Sequence, residues 1–520
     1  MQIKSKSPDS KIQEAHFWSA VLLTLRHLLF LLFSILSVRL IWVSLDYIPH
    51  RYQFPFALVL AALAVLSFWK TSWVLYGFPI LVPLVSGMKV FGFMKTGPIL
   101  SLIFAAIYLG WFCRRFLLRR EGISFTTRIG KWIEVLCAWV LFSLTWAIWP
   151  LAEKLNLSWL LLAAGWEQSD PFHPYAAAYV ILEGLFYYRM LELEENPFLS
   201  GRLLPLILSI QAASILFFSL LQLFFQIPPP YRIVGPYDSI AIYAPFEDIH
   251  SYGSYLILLF FFFFSLLLHP ARTAWLNAIW LALLLTFSIL SYSRTTWLAG
   301  ILMSAGIILW SLSGVKRSVL VGGLLLGILL INLNSDHFIK SSNPFISRLG
   351  RALTVSETFS YARFVLWRRA FRSILVHPLA GMGVGNFYRN SILYQKEQKE
   401  PYANYEENAH NYFLQFASEL GLPALLLFLW ILFSVYRMCL RAVRNKKAPP
   451  VLKGLLWGLG AYLITCVPGH PLLLSSQQFL FWFILFAVVQ NSLSPLNEPT
   501  TPEKKVDIPS KMGYVNTVVF

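Results

Sequence analysis

Charge is what this chain has least of. Asp, Glu, Lys and Arg make up 13% of its 520 residues, where soluble domains carry about a quarter. Too little charge is available to cover a water-facing surface, which excludes an ordinary soluble globular protein. Acid is scarcer than base: 25 Asp and Glu stand against 42 Lys and Arg, for a formal net charge of +17. The basic residues are not gathered into a patch. They are spread over short segments between apolar runs, which argues against nucleic acid as a partner and fits the positive-inside bias of membrane proteins.

Cysteine is equally sparse. Cys113, Cys137, Cys439 and Cys466 all sit in or beside apolar runs, so neither a disulfide framework nor a cysteine metal cluster is expected. Phosphate-loop, zinc-spacing and serine-elbow motifs are not found in the sequence. No cofactor is called for, and metal-independent chemistry is expected. The Lys-bearing start (Lys4, Lys6, Lys11) leads into a long apolar stretch without a small-residue cleavage site. The first span is therefore expected to stay attached.

What the chain has in abundance is apolar sequence, 57% hydrophobic and 16% aromatic. A spanning helix needs about 20 mostly apolar residues. Candidate segments are 18–45, 54–69, 72–93, 97–113, 132–151, 173–189, 203–226, 251–268, 274–292, 295–313, 317–333, 422–438, 452–468 and 472–491. The fold expected is an all-α polytopic membrane protein of about 12–14 transmembrane helices with one large outer loop containing short amphipathic helices. The parts are N-terminal helices over 1–200, central helices over 201–333, the loop over 334–410, C-terminal helices over 411–491, and a disordered tail over 492–520. Charge supports this order. Arg114, Arg115, Arg119, Arg120, Arg128 and Lys131 face a single Glu121 in one connection, and Arg437 through Lys447 mark another. Both fall inside if 334–410 lies outside.

Three arginines then fall on the outer face, and two of them, Arg232 and Arg294, break the bias. Arg232 follows the run Pro228–Pro230. Arg294 is pinned in a short turn, Ser291-Tyr292-Ser293-Arg294. Arg363 opens the amphipathic segment 359–376, where Phe364, Trp367, Phe371 and Ile374 are expected to form one apolar stripe and Arg368 with Arg372 another face. These arginines either snorkel to lipid phosphate or hold a diphosphate with their forked donors. The glycines of Gly381-Met382-Gly383-Val384-Gly385 suit a turn-rich loop better than a phosphate nest. The loop closes on His410, followed by a short helix that Gly421 ends and Pro423 restarts. His410 is either an interfacial residue or a proton acceptor. With an ordinary imidazole it would become neutral through about pH 6–7. His250, His337 and His377 are its competitors on that face.

Taken together these stretches resemble the O-antigen ligase and polymerase superfamily of bacterial envelope membrane proteins. Arg294–Leu298 is similar to its Arg-x-x-x-Leu motif. His410, Asn411, Leu414 and Gly421 are similar to its loop-closing pattern, Arg232 to Gly235 to its Arg-x-x-Gly stretch, and Arg363, Trp367, Pro378, Gly381 and Gly383 to a further series. The resemblance covers roughly residues 200–440. Ala244-Pro245-Phe246-Glu247-Asp248 departs from the Asn-rich turn of many members.

The resemblance implies a multi-pass protein of the bacterial inner membrane with a periplasmic catalytic loop. The implied donor is an undecaprenyl-diphosphate-linked glycan, and the implied acceptor a hydroxyl on lipid A–core, another glycan or a protein. Arg232, Arg294 and Arg363 would bind the diphosphate and His410 would act as general base in an inverting transfer, with membrane lipids as the other contact and no nucleic acid. A polysaccharide polymerase or a protein O-oligosaccharyltransferase of the same superfamily shares this pattern. The rivals from other classes are a lipid-linked sugar transporter and a structural scaffold of the envelope.

The charge pattern makes one direct prediction. Cysteine placed at Ser341 should react with impermeant reagent from outside intact cells, and cysteine at Ser124 only after permeabilisation. Equal labelling of the two from outside would overturn the topology.

Overall fold

The computed structural model describes residues 8–46, 50–87, 96–119, 121, 127–152, 174–194, 203–233, 239–269, 274–341, 343, 346–347, 361–395, 407–444 and 449–493. These residues are overwhelmingly helical. In chain order the helices are α1 (Pro8–Asp46), α2 (His50–Gly87), α3 (Thr96–Phe112, continued by a π-helical turn over Cys113–Leu118), α4 (Arg128–Ala152), α5 (Pro174–Leu193), α6 (Leu203–Phe225), α7 (Ile249–Leu267), α8 (Ala274–Leu290), α9 (Arg294–Ser311), α10 (Gly314–Leu333), α11 (Ser335–Ile339), α12 (Tyr361–Val376), α13 (Phe387–Asn390), α14 (Tyr412–Arg444), α15 (Pro450–Thr465) and α16 (Ser475–Leu493). Between α6 and α7 a small antiparallel pair, β1 (Tyr231–Ile233) and β2 (Ser239–Ala241), sets Arg232 opposite Ile240. It is a local addition to an all-α membrane fold.

Each of the fourteen apolar segments falls on a helix, but length and composition admit fewer as spans. Among the described residues seven helices are long and apolar enough to cross a membrane, while α8 and α15 are apolar but shorter. Two physical reasons account for the difference from about 12–14. First, two expected segments merge into α2, whose helical geometry breaks at Lys70 (φ −130°, ψ 51°). Its 38 residues would extend about 57 Å, nearly twice a hydrocarbon core of about 30 Å. Second, α5 carries Glu183, Arg189 and Glu192, and α9 opens with Arg294.

The bundle core is aromatic. Phe33 stacks on Phe186 at 4.1 Å between ring centres, and Phe78, Phe104, Tyr187 and Phe479 meet edge-on or tilted. At one end of it the buried Arg189 binds Glu134 (Nη2–Oε1 2.6 Å) and Glu192, and Arg26 reaches Glu134 at 3.1 Å. These charges sit in the bundle because each is paired, which the cost of an isolated ion there demands. Glu183 lies fully buried nearer mid-helix, beside Ser101 and Ser475.

The feature that positions the site is a break in α14. Gly421 has φ +84° and ψ 167°, so the helix stops and restarts there. The loop after α12 wraps this break with backbone bonds: Leu422 N donates to Pro378 O (2.8 Å), Met382 N to Ser418 O (2.9 Å) and Gly383 N to Glu419 O (3.0 Å). The Glu419 carboxylate accepts from Gly385 N at 2.9 Å and from Gln415 Nε2 at 3.1 Å. The glycine run is therefore a clasp on α14. Its amides are spent on protein oxygens and do not cradle phosphate.

Within α12 the expected stripe is divided. Phe364 and Phe371 are exposed, whereas Ile374 is buried, along with Arg363, Arg369 and Ser373. The inward face mixes these polar groups with Val365, Leu366 and Ala370 and meets Ser418 of α14. The outward face keeps Phe364, Phe371 and Leu375 beside Arg368, as suits a helix at a lipid boundary. Arg348, Arg351, Gly235, Glu397, Glu400, Glu406 and the tail beyond 493 lie outside the described residues.

A Cβ at position 421 would stand 2.0 Å from Leu379 O, in a left-handed conformation that costs an L-residue about 1–2 kcal/mol even without the clash. Gly421→Ala should therefore lower the thermal unfolding midpoint in detergent markedly. Gly306→Ala, in a helix with nothing within 4 Å of the new methyl, should not. Equal midpoints for the two variants would refute the clasp.

Candidate functional site

Three helices begin at one place, and each begins on a short polar cap. Asp248 caps α7, its carboxylate accepting from His250 N (2.6 Å) and Ser251 N (2.9 Å). Ser293 caps α9 through Thr296 N at 3.4 Å. Asn411 Oδ1 accepts from Leu414 N at 3.0 Å in the first turn of α14. Such residues satisfy the free amides of a first turn, which is why the sequence starts helices there. The positive ends of these helices face the same space, a setting that favours an anion.

Two residues with unusual backbones aim the functional side chains. Tyr292 has φ +49° and His410 φ +45°, values rare for non-glycine residues and tolerated only where the surroundings enforce them. At His410 the enforcement is visible. His410 N donates to Asn408 Oδ1 (2.9 Å), Ala409 N to Gln415 Oε1 (3.0 Å), and Trp367 Nε1 to His410 O (3.4 Å). Tyr412 N reaches both Cys466 O and Gly469 O, at 3.0 and 2.9 Å, which ties the loop to the turn between α15 and α16.

That turn brings in His470. Its ring meets His410 edge to face, with centres 5.0 Å apart, and stands 6.3 Å from His250. His250 Nδ1 lies 3.3 Å from Thr295 Oγ1. Asn408 Nδ2 approaches His470 Nε2 at 3.4 Å. Glu407 is 3.9 Å from His410 Nε2, too far for a hydrogen bond.

Arg294 and Arg363 are near enough to this group to act on it. Burial, reinforced by Arg294, pulls the Arg363 guanidinium down to about 10. Burial, His470 and Arg363 together push His410 down to about 3, against a weaker upward pull from Asp248. Burial takes His470 to about 4, opposed by Asp248 and helped by His250 and Arg363. Asp248 would rise by burial, but His250, His470 and the hydrogen bonds from Ser251 hold it below its usual range. The outcome is a half-buried cluster with two cationic guanidiniums, one capping carboxylate, and His410 and His470 neutral at pH 7.

Of the residues expected from the sequence, Arg294, Arg363 and His410 come together. The Arg232 backbone lies in β1, and its side chain is outside the described residues. Among the competing histidines His250 joins the group, whereas His377 packs on Tyr394 and His337 on Phe338. His470, Asp248 and Thr295 were not anticipated. His470 could have been found: the turn between the last two apolar segments returns to the same face as the loop. The pH expectation for His410 also changes, because burial moves its titration well below pH 6–7.

The sign of the acid response follows. Both imidazoles have folded values below the ordinary 6.5, so between about pH 6.5 and 4 the unfolded chain binds more protons than the folded one. Stability should fall as pH drops through that window and change little from these groups above pH 7. The thermal midpoint of the wild type should decline more steeply below pH 6.5 than that of the His410→Ala, His470→Ala double variant. Parallel declines would contradict the assignment.

Comparison with curated proteins gives no match to the chain. A family model described as O-antigen ligase matches residues 279–429, a stretch that takes in Arg294, Arg363, His410 and the Gly421 clasp but leaves out Arg232, His250 and His470. With an apolar helical bundle around it and that matched stretch at its polar centre, the chain is a polytopic membrane protein that carries a stretch similar to the O-antigen ligase family.

Proposed function

We propose that the protein transfers a glycan from undecaprenyl diphosphate to an acceptor hydroxyl, on lipid A–core or on another glycan, at the periplasmic face of the inner membrane. The observation that carries this reading is the convergence of two arginines and a neutral histidine at three helix starts. As the bond from the donor sugar C1 to the diphosphate oxygen breaks, its electron pair leaves with the diphosphate. Negative charge grows there, and Arg294 and Arg363 meet it with fixed donors in a partly dry site, the arrangement in which electrostatic stabilisation is strongest. Helix starts at Asp248, Ser293 and Asn411 add partial positive charge.

The acceptor oxygen forms the new bond to C1 and gives its proton to His410. A base must be unprotonated to accept, and burial keeps His410 so across the physiological range. Direct displacement inverts the anomeric centre, and no step requires a metal. Arg232 in β1 is placed by this reading on the same donor. The exposed face of α12, with Phe364, Phe371 and Leu375, suits the leaflet that carries the polyprenyl chain.

With purified protein, a lipid-diphosphate-linked glycan and acceptor, His410→Ala should reduce turnover by about 10²–10⁴-fold with little change in donor binding. Arg294→Lys keeps the charge but loses the fork. A lost charged hydrogen bond is worth about 1.5–3 kcal/mol, or about 10–100-fold in kcat/KM. Full activity of Arg294→Lys, or normal turnover of His410→Ala, would remove that residue from the mechanism.

A further inference from the structure

The general base has an unexplained neighbour. His470 sits in Pro468-Gly469-His470-Pro471, a turn held on the His410 segment by the two bonds from Tyr412 N and closed on itself by Leu473 N donating to His470 O at 3.0 Å. It lies outside the matched family stretch. Its ring is the one His410 meets edge to face. The Nδ1 atoms of both rings are buried, and neither has a hydrogen-bond partner. An unsatisfied buried nitrogen costs about 1–3 kcal/mol, and two rings that meet edge to face each carry one, so the pair has proton-binding capacity that the rest of the fold does not use. Beyond His470 lie His250 and Asp248, the latter the one carboxylate among the groups acting on both His410 and His470.

We propose that His470 is a positioning residue that acts through His410: it fixes the tautomer of the His410 ring and shares the proton that His410 removes from the acceptor, with Asp248, the cap beneath His250, as the compensating anion. The proposal rests on the glycosyl-transfer reading for its kinetic part only. In that step the acceptor O–H bond breaks and the proton goes to the His410 ring. The new C1–O bond forms while the diphosphate leaves with its electron pair. The proton is then held between His410 and His470 and passes to water. The groups around the pair are Glu407, Arg363 and Asp248 toward His410, and Asn408, His250, Arg363 and Asp248 toward His470.

A chain of this kind has a signature that packing alone lacks. If His470 works only through His410, removing it after His410 has gone should cost nothing more. His470→Gln and His470→Asn should each lower kcat about 10–100-fold, with donor KM within about twofold of wild type and an unchanged thermal midpoint. His410→Ala with His470→Gln should be no slower than His410→Ala alone. His377→Gln is the control and should behave as wild type. The tautomer is read without turnover, by ¹⁵N resonances of labelled histidine at pH 7: one His410 tautomer in the wild type, a mixture in His470→Gln. No transfer by the wild type would refute the glycosyl-transfer reading while leaving the tautomer test in force. Wild-type kcat in both His470 variants, a double variant slower by the product of the singles, or an unchanged His410 tautomer in His470→Gln would overturn the role of His470.

Discussion

The molecule turns on a backbone contact with no side chain in it. At Gly421 the chain takes a conformation open mainly to glycine, and the Leu379 carbonyl lies where a Cβ would be. Gly381 answers from the other side, its own missing Cβ leaving room for Glu419 O. Two chains can approach this closely only because neither residue has a side chain. The loop after α12 is thereby held to a helix long and apolar enough to span a membrane, and α12 with Arg363 is fixed to the helix that His410 precedes. Without the clasp the arginine and the histidine would belong to separate mobile elements.

Burial then decides the chemistry. In water a histidine beside a carboxylate is drawn toward the imidazolium, and Asp248 exerts that pull here. It loses because the space is dry and because Arg363 and a second imidazole already disfavour another positive charge. The arginines stay charged under the same burial since a guanidinium starts so much higher. One environment therefore sorts its basic groups into charged guanidiniums and uncharged imidazoles, the two kinds of group that the proposed transfer calls for. The two roles need no separate compartments.

Much of this was legible in the sequence, and the reasons are specific. Arg294 stood out because a charge in so short a turn breaks the inside bias, and His410 because Asn411 and Gly421 bracket a helix start and stop. Both rest on local rules that survive folding. The stripe through Phe364 and Phe371 is exposed except at Ile374, and periodicity alone did not show which arginines of the helix turn to the site. Arg363 and Arg369 face inward among Val365, Leu366 and Ala370, while Arg368 stays outside. His470 was passed over because its turn is four residues long and carries no pattern. Its importance is wholly a matter of which turns share a face. Asp248 entered only as part of the departure from the Asn-rich turn, and nothing in that turn shows that its carboxylate caps α7 and acts on two histidines.

The position of the cluster carries a last consequence. A donor anchored by a polyprenyl chain reaches its enzyme sideways, through lipid, while an acceptor hydroxyl on a sugar comes from water. A site deep in the bundle would exclude the sugar, and one high in a loop would exclude the lipid. Helix starts at the end of the bundle, roofed by a helix whose outer face is Phe364, Phe371 and Leu375, meet both demands at once. On the proposed reading the phosphate would sit where lipid ends, against dipoles and guanidiniums that need no water to screen them. The hydroxyl would meet His410 at the half-buried edge of the same cluster. The geometry of such a boundary, more than any single residue, is what would bring Asp248, Arg294, Arg363 and the two histidines to one place.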